Sequence, residues 1–116
     1  MSEADAKRRG INHSDVVRVL NNRGACLAGA VIDSSLKAGI AVLATGAWYD
    51  PLGAGGADNL DKHGNPNVLT PDKGSSKLTQ APIPNSALVE IERYDGELPP
   101  ISAFSPPLFE KRRRDR

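Results

Sequence analysis

The sequence is short of cysteine, aromatic rings and histidine, and each shortage removes a class of function. Cys26 stands alone, so an internal disulfide and a cysteine-based zinc cluster are both excluded. Two Phe, two Tyr and one Trp leave a lean hydrophobic core. His13 and His63 are the only imidazoles, far apart and at no metal-ligand spacing. Charge of one sign is lacking too: the net charge is +1 and the pI is near 7.9, so no basic field argues for a nucleic-acid partner. The basic run that closes the chain, Lys111 to Arg116, carries none of the interleaved aromatics of a single-strand-binding surface. The longest mostly apolar run, Ala25 to Ile32, falls far short of the roughly 20 residues that span a bilayer. The charged start, Met1 to Arg9, has no apolar stretch of the kind an export signal needs. Neither a membrane nor a nucleic acid is the expected partner.

Glycine and proline are plentiful, eleven and nine in 116 residues, which favours turns, short strands and long loops. Ser2 to Arg9 reads as a short helix. Ser2 caps it, Glu3 and Asp5 sit in its first turn, Lys7, Arg8 and Arg9 in its last, and Gly10 ends it. Asp15 to Leu20, rich in valine, reads as a strand. Asn21 to Gly24 then forms a hairpin connection from residues that accept positive φ cheaply. Ala25 to Ile32 is short and apolar enough for a buried strand, with Gly29 marking a bulge or a close backbone approach. A polar turn, Asp33 to Ala38, leads to a third expected strand, Gly39 to Thr45. Asp72 to Gln80 has room for one helical turn. In Ala87 to Tyr94, Val89 and Ile91 alternate with Glu90 and Glu92 as in a half-buried strand. No internal repeat is visible.

From Gly46 to Asn67 no periodicity survives, and long ordered loops in small domains are usually functional. Trp48-Tyr49-Asp50 sets ring faces beside an acceptor. His63-Gly64-Asn65-Pro66-Asn67 places two carboxamides in a stiffened turn. Gly74-Ser75-Ser76 offers backbone N–H groups and hydroxyls suited to phosphate. An amide both donates and accepts, which matches the mixed edge of guanine. Each of these patterns also makes an ordinary turn. His13 reads as an exposed turn residue and Cys26 as a small buried hydrophobe.

Trp48-Tyr49-Asp50-Pro51, His63-Gly64-Asn65-Pro66-Asn67-Val68-Leu69-Thr70 and Asp72-x-Gly74-Ser75-Ser76-x-Leu78-x-Gln80 together resemble a known pattern. It is that of the carboxy-terminal molybdopterin-dinucleotide-binding domain of the dimethyl sulfoxide, trimethylamine N-oxide and biotin sulfoxide reductase family. The likeness runs, in order, from about residue 2 to residue 108. It implies a mainly β fold, a partial double-psi β-barrel with one or two short helices and a long irregular loop. Residues 1–95 would form the cofactor-binding barrel, truncated at its start, and residues 96–116 a Pro-rich, basic tail.

The resemblance further implies molybdopterin guanine dinucleotide as the cofactor. Asn67 matches a cofactor-contacting asparagine, and Pro84-Asn85 stand where the family more often has Gly-Gln. Trp48, Tyr49, Ser75 and Ser76 are the neighbouring wall. No metal ligand is expected, because the residue that binds molybdenum belongs to the catalytic body, the implied partner. The chain reads as a fragment of an S-oxide or N-oxide reductase, inactive alone. The alternative is a separate, non-catalytic pterin-binding or assembly subunit that docks on a catalytic chain. Self-cleavage at Gly74-Ser75, known for the same barrel, is a third reading. His13-Ser14 replaces the usual acidic residue and Gly, which predicts a strained turn. The family has periplasmic and cytoplasmic members, so compartment is left open.

Overall fold

The computed structural model describes residues 1–53, 60–83, 85 and 87–106. The first element is helix α1, Glu3–Arg9. The Ser2 hydroxyl accepts a bond from the Asp5 N–H at 3.2 Å and donates to the Asp5 carboxylate at 2.7 Å, a cap worth about 1 kcal/mol. Gly10 closes the helix at φ +64°, the left-handed conformation that glycine adopts without strain. The Asp5 carboxylate also accepts the Gly39 N–H at 2.7 Å, so the cap anchors a distant segment as well. That bond, the Ser2 hydroxyl and the nearby Arg8 and Arg9 guanidiniums outweigh burial and hold the Asp5 carboxyl below its ordinary value.

Strands β1 (Val16–Asn21) and β2 (Gly24–Gly29) form an antiparallel hairpin with Asn21 opposite Gly24 and Val16 opposite Gly29. Strand β3 (Leu60–Asp61) runs parallel to β2, with Cys26 opposite Asp61. Strand β4 (Glu90–Arg93) lies antiparallel on the other side of β1, with Val19 opposite Ile91. The order across the sheet is β3-β2-β1-β4. Val17 and Val19 alternate inward from β1 and meet Ala6, Ile11, Cys26 and Leu69 in the core. Each buried valine or leucine contributes about 1.5–3 kcal/mol. The partly buried Leu43, Val89 and Ile91 pack against this cluster. On the other face of the sheet, Arg18 and Glu92 form a 2.6 Å cross-strand ion pair.

The mainly β architecture expected from the sequence is the one observed, with α1 and a 3-10 turn at Pro66–Val68 as its helical elements. Among the described residues the sheet is open, because no strand joins β3 to β4. No helix there is long and apolar enough to cross a membrane.

Several expectations need correction. The stretch from Gly39 to Thr45 begins in a turn, with Gly39 at φ +83°, bends at Thr45 and pairs with no described strand, so it is not a strand of the sheet. The hairpin loop needs no positive φ at residues 21–24. What requires glycine at position 24 is a close approach, since a Cβ there would meet the Val68 carbonyl oxygen at 2.8 Å. Gly29 shows neither a bulge nor a close neighbour, and its pairing with Val16 is in register. A 3-10 turn not expected from the sequence forms at Pro66, where the ring pre-sets φ, and within Asp72 to Gln80 one turn closes with the Gln80 N–H on the Ser76 carbonyl at 3.4 Å. The expected strain at His13-Ser14 is present: Ser14 sits at φ +71°.

Candidate functional site

Asp61 organises the irregular loop. Its side chain is 0 % exposed. One carboxylate oxygen accepts the Asp50 N–H at 2.9 Å, and the other accepts those of His63 at 3.3 Å and Asn65 at 2.8 Å. Three backbone donors compensate the cost of burying this group. Cys26 lies beside it across the β2–β3 pair. Burial, and secondarily the Asp61 charge, push the Cys26 thiol up to about 12, so it is inert as a nucleophile or ligand.

The segment Asp61 fixes then presents Asn67. Asn65, itself buried, accepts the Asn67 N–H on its side-chain oxygen at 3.0 Å and so caps the 3-10 turn. Asn67 itself is exposed, and its carboxamide bonds to no other described residue. Gly64, at φ +78°, lets this segment pass close to the Leu27 carbonyl, 3.1 Å from where a Cβ would lie.

A second polar cluster ties the loop to residue 102. Ser102 donates to the Asp50 carboxylate at 2.9 Å and lies 3.0 Å from His63 Nε2, while Lys62 Nζ reaches Asp50 at 3.0 Å. The hydrogen bonds from Lys62 and Ser102, then the Lys62 and His63 charges, hold the Asp50 carboxyl below its ordinary value. The trio Ser102–His63–Asp50 is not a nucleophilic triad. The carboxylate and the hydroxyl both face the same ring nitrogen, so no acid orients the imidazole through Nδ1.

A trough of about 880 Å³ opens over the sheet, lined by the apolar Val17, Val19, Val42, Leu43 and Ile91 and, among polar residues, by His63, Thr70 and Asn85. Of the described residues that the resemblance marks as cofactor-contacting, Asn85 lines it, and so do His63, Gly64, Pro66 and Thr70 from the quoted loop. Asn85 is exposed and its amide bonds to no described residue. Pro66 and Leu69 also line the trough, and Asn67, which is exposed, does not. Trp48 is 87 % exposed, Tyr49 is half exposed, and neither lines the trough. Ser75 and Ser76 are exposed, and their hydroxyls are each 2.9 Å from Thr79 Oγ1 within a local turn. Pro84 and the basic run at 111–116 lie outside the described residues.

Sequence reasoning missed Asp61 and Asn21. Asn21 Nδ2 donates to the carbonyls of Leu69, at 2.8 Å, and Leu88, at 3.2 Å. It thereby joins the segments that carry Asn67 and Asn85. Asp61 belongs to no motif, and Asn21 reads in the sequence only as the start of a hairpin connection.

The "Molydopterin dinucleotide binding domain" family matches residues 1–88. A trimethylamine-N-oxide reductase of Salmonella typhi is 50 % identical over 103 residues, which is 89 % of this chain and 12 % of that protein. Trimethylamine-N-oxide reductase 1 of Escherichia coli (strain K12) is 50 % identical over 98 residues, covering 84 % of this chain and 12 % of its own length. A trimethylamine-N-oxide reductase of Vibrio vulnificus (strain CMCP6) is 46 % identical over 104 residues, covering 90 % and 13 %. The chain thus spans about an eighth of the length of these relatives. With a match over most of its length, it belongs to the molybdopterin dinucleotide binding domain family.

Proposed function

We infer that this chain grips the nucleotide end of a molybdopterin guanine dinucleotide as one part of an N-oxide reductase, and that it is inactive alone. The observation that supports this reading is the exposed carboxamide of Asn67, which bonds to no other described residue and follows the trough-lining Pro66 in the turn that Asn65 caps. An amide there donates and accepts at once, as a guanine edge requires. Asn85, which lines the trough, supplies a second exposed carboxamide. The residues present therefore fit a nucleotide. Among the described residues no group of three His, Cys, Asp or Glu side chains is placed to hold a metal ion.

When bound, the cofactor supplies the molybdenum at which oxygen is removed from a substrate. The residues of this chain bind and orient the arm of the cofactor remote from that centre. Asp61 keeps the 61–67 segment in place, and Asn67 and Asn85 meet the base and its sugar-phosphate. The N-oxide assignment rests on the trimethylamine-N-oxide reductases to which the chain is similar.

Titration of the 116-residue chain with guanosine monophosphate, followed by NMR, tests the reading. Weak binding with shifts centred on Asn67 and Asn85 is expected, reduced about tenfold by Asn67→Ala. Shifts confined to other regions, or an unchanged affinity in the variant, would remove Asn67 from the site.

A further inference from the structure

Asp50 and His63 are gripped twice. Inside the loop, the Asp61 carboxylate accepts their backbone N–H groups at 2.9 and 3.3 Å. Outside it, the Ser102 hydroxyl donates to the Asp50 carboxylate at 2.9 Å and stands 3.0 Å from His63 Nε2. This outer grip comes from the far side of the fold. Ser102 follows β4, and β4 and β3 are the opposite edges of the sheet. Pro51 bridges Asp61 at the β3 edge, so the chain beyond Arg93 travels the width of the sheet, about 14 Å, to bring Ser102 to Asp50. Pro99 and Pro100 lie on that route and restrict the chain before it is fastened. From Asp95 to Pro106 every residue is exposed except Pro99 and Ser102. Among the described residues, Ser102 makes the only hydrogen bonds from this stretch to residues that precede β4.

We propose that residues 94–102 form a strap between the two edges of the open sheet, and that Ser102 is a positioning residue whose clasp on Asp50 and His63 sets the loop leading to Asn67. No described strand joins β3 to β4; the strap joins those edges through side chains instead. His63 stands two residues before Asn65, whose side chain caps the turn that carries Asn67. Lys62 also meets Asp50, at 3.0 Å, but on a flexible four-carbon stem that adapts to many positions. The serine oxygen is one rotatable bond from its backbone, so it passes the position of the strap directly to the loop. The strap lies beyond residues 1–88, which the family matches. The clasp itself does not depend on the cofactor reading; only its effect on nucleotide affinity rests on that reading.

Amide exchange of the 116-residue chain, read by NMR, tests the clasp. In Ser102→Ala the N–H groups of Asp50, His63 and Asn65 are expected to exchange about tenfold faster, with those of β1 and β2 unchanged. The Asp50 carboxyl is held down by the hydrogen bonds from Lys62 and then Ser102, so it is expected to titrate higher in the same variant. Ser102→Thr keeps the hydroxyl and should restore both readings. Ser105→Ala, at an exposed position three residues further on, should change neither. Unchanged exchange in Ser102→Ala overturns the proposal, as does a threonine variant that behaves like the alanine one, or an equal effect of Ser105→Ala. Guanosine monophosphate then separates the clasp from the cofactor reading. An affinity about threefold lower in Ser102→Ala and restored in Ser102→Thr supports the positioning role. Faster exchange with an unchanged affinity overturns that role. Faster exchange with no binding by any of the chains removes the nucleotide reading and leaves the strap standing.

Discussion

The Asp61 carboxylate accepts the backbone N–H of Asn65 at 2.8 Å, four residues further along its own chain. Asn65 in turn accepts the N–H of Asn67. A buried acid thus sets, in two steps, where an exposed carboxamide stands.

Removing that acid should cost more than a typical core change. Asp61→Ala strands three backbone donors, and each loses a charge-assisted acceptor, so a loss of about 3 kcal/mol or more is expected. Asp61→Asn keeps the shape but turns an NH2 group toward N–H donors, with a loss of about 1–3 kcal/mol. Urea titrations of the three chains, compared at their midpoints, measure both.

Ser14 and Gly24 should respond in opposite directions to exchange of a methyl-sized group. Ser14 is held at φ +71°, so Ser14→Gly relieves left-handed strain and should stabilise by about 0.5–1 kcal/mol. Gly24→Ala brings a Cβ to 2.8 Å from the Val68 carbonyl oxygen and should destabilise by about 1–3 kcal/mol. A rise and a fall in thermal midpoint, each measured against the parent chain, are the expected results.

Acid should unfold the chain progressively. Asp5, Asp50 and Glu90 all release their protons more readily in the fold than outside it. For Asp5 the chief cause is the Gly39 N–H, for Asp50 the Lys62 and Ser102 hydrogen bonds, and for Glu90 the Ile91 N–H and then Arg9. The unfolded chain therefore takes up more protons as pH falls through and below the ordinary carboxyl values of 3.8 and 4.5. Stability is fully present above that range and declines beneath it. Asp5→Asn should flatten the decline, as read from denaturation midpoints measured between neutral and acid pH.

Cys26 should ignore thiol reagents until the sheet opens. Its thiol is 0 % exposed and pushed up to about 12, so a disulfide probe at mildly alkaline pH should label it only at the rate of unfolding. Immediate labelling of the folded chain would contradict its placement.

Legibility in the sequence followed the range of the interactions involved. Helix α1 was readable because Ser2, Asp5 and Gly10 act within one or two turns, and the β1–β2 hairpin because valine alternation and its turn are adjacent. The Gly39 to Thr45 stretch has the composition of a strand, but composition does not state whether a neighbour exists to accept its bonds. Asp61 was hidden for a related reason. Its partners are backbone N–H groups, which every residue carries, so no side-chain pattern announces them. Asn67 was found through a resemblance, but its capping by Asn65 was not foreseen, because Asn65-Pro66-Asn67 reads equally as a stiffened turn until the 3-10 turn closes. Ser75 and Ser76 looked open because their bonds to Thr79 depend on how the turn closes.

The two carbonyl contacts of Asn21 give the hairpin a mechanical role. Leu69 lies just beyond Asn67 and Leu88 just beyond Asn85, so one amide at the end of β1 serves as a common fulcrum for both open carboxamides. Tilting the hairpin tip would carry the two together, and trimming Asn21 to alanine would unyoke them. A ligand that needs both at a set separation would then sense a change made at a residue it never touches.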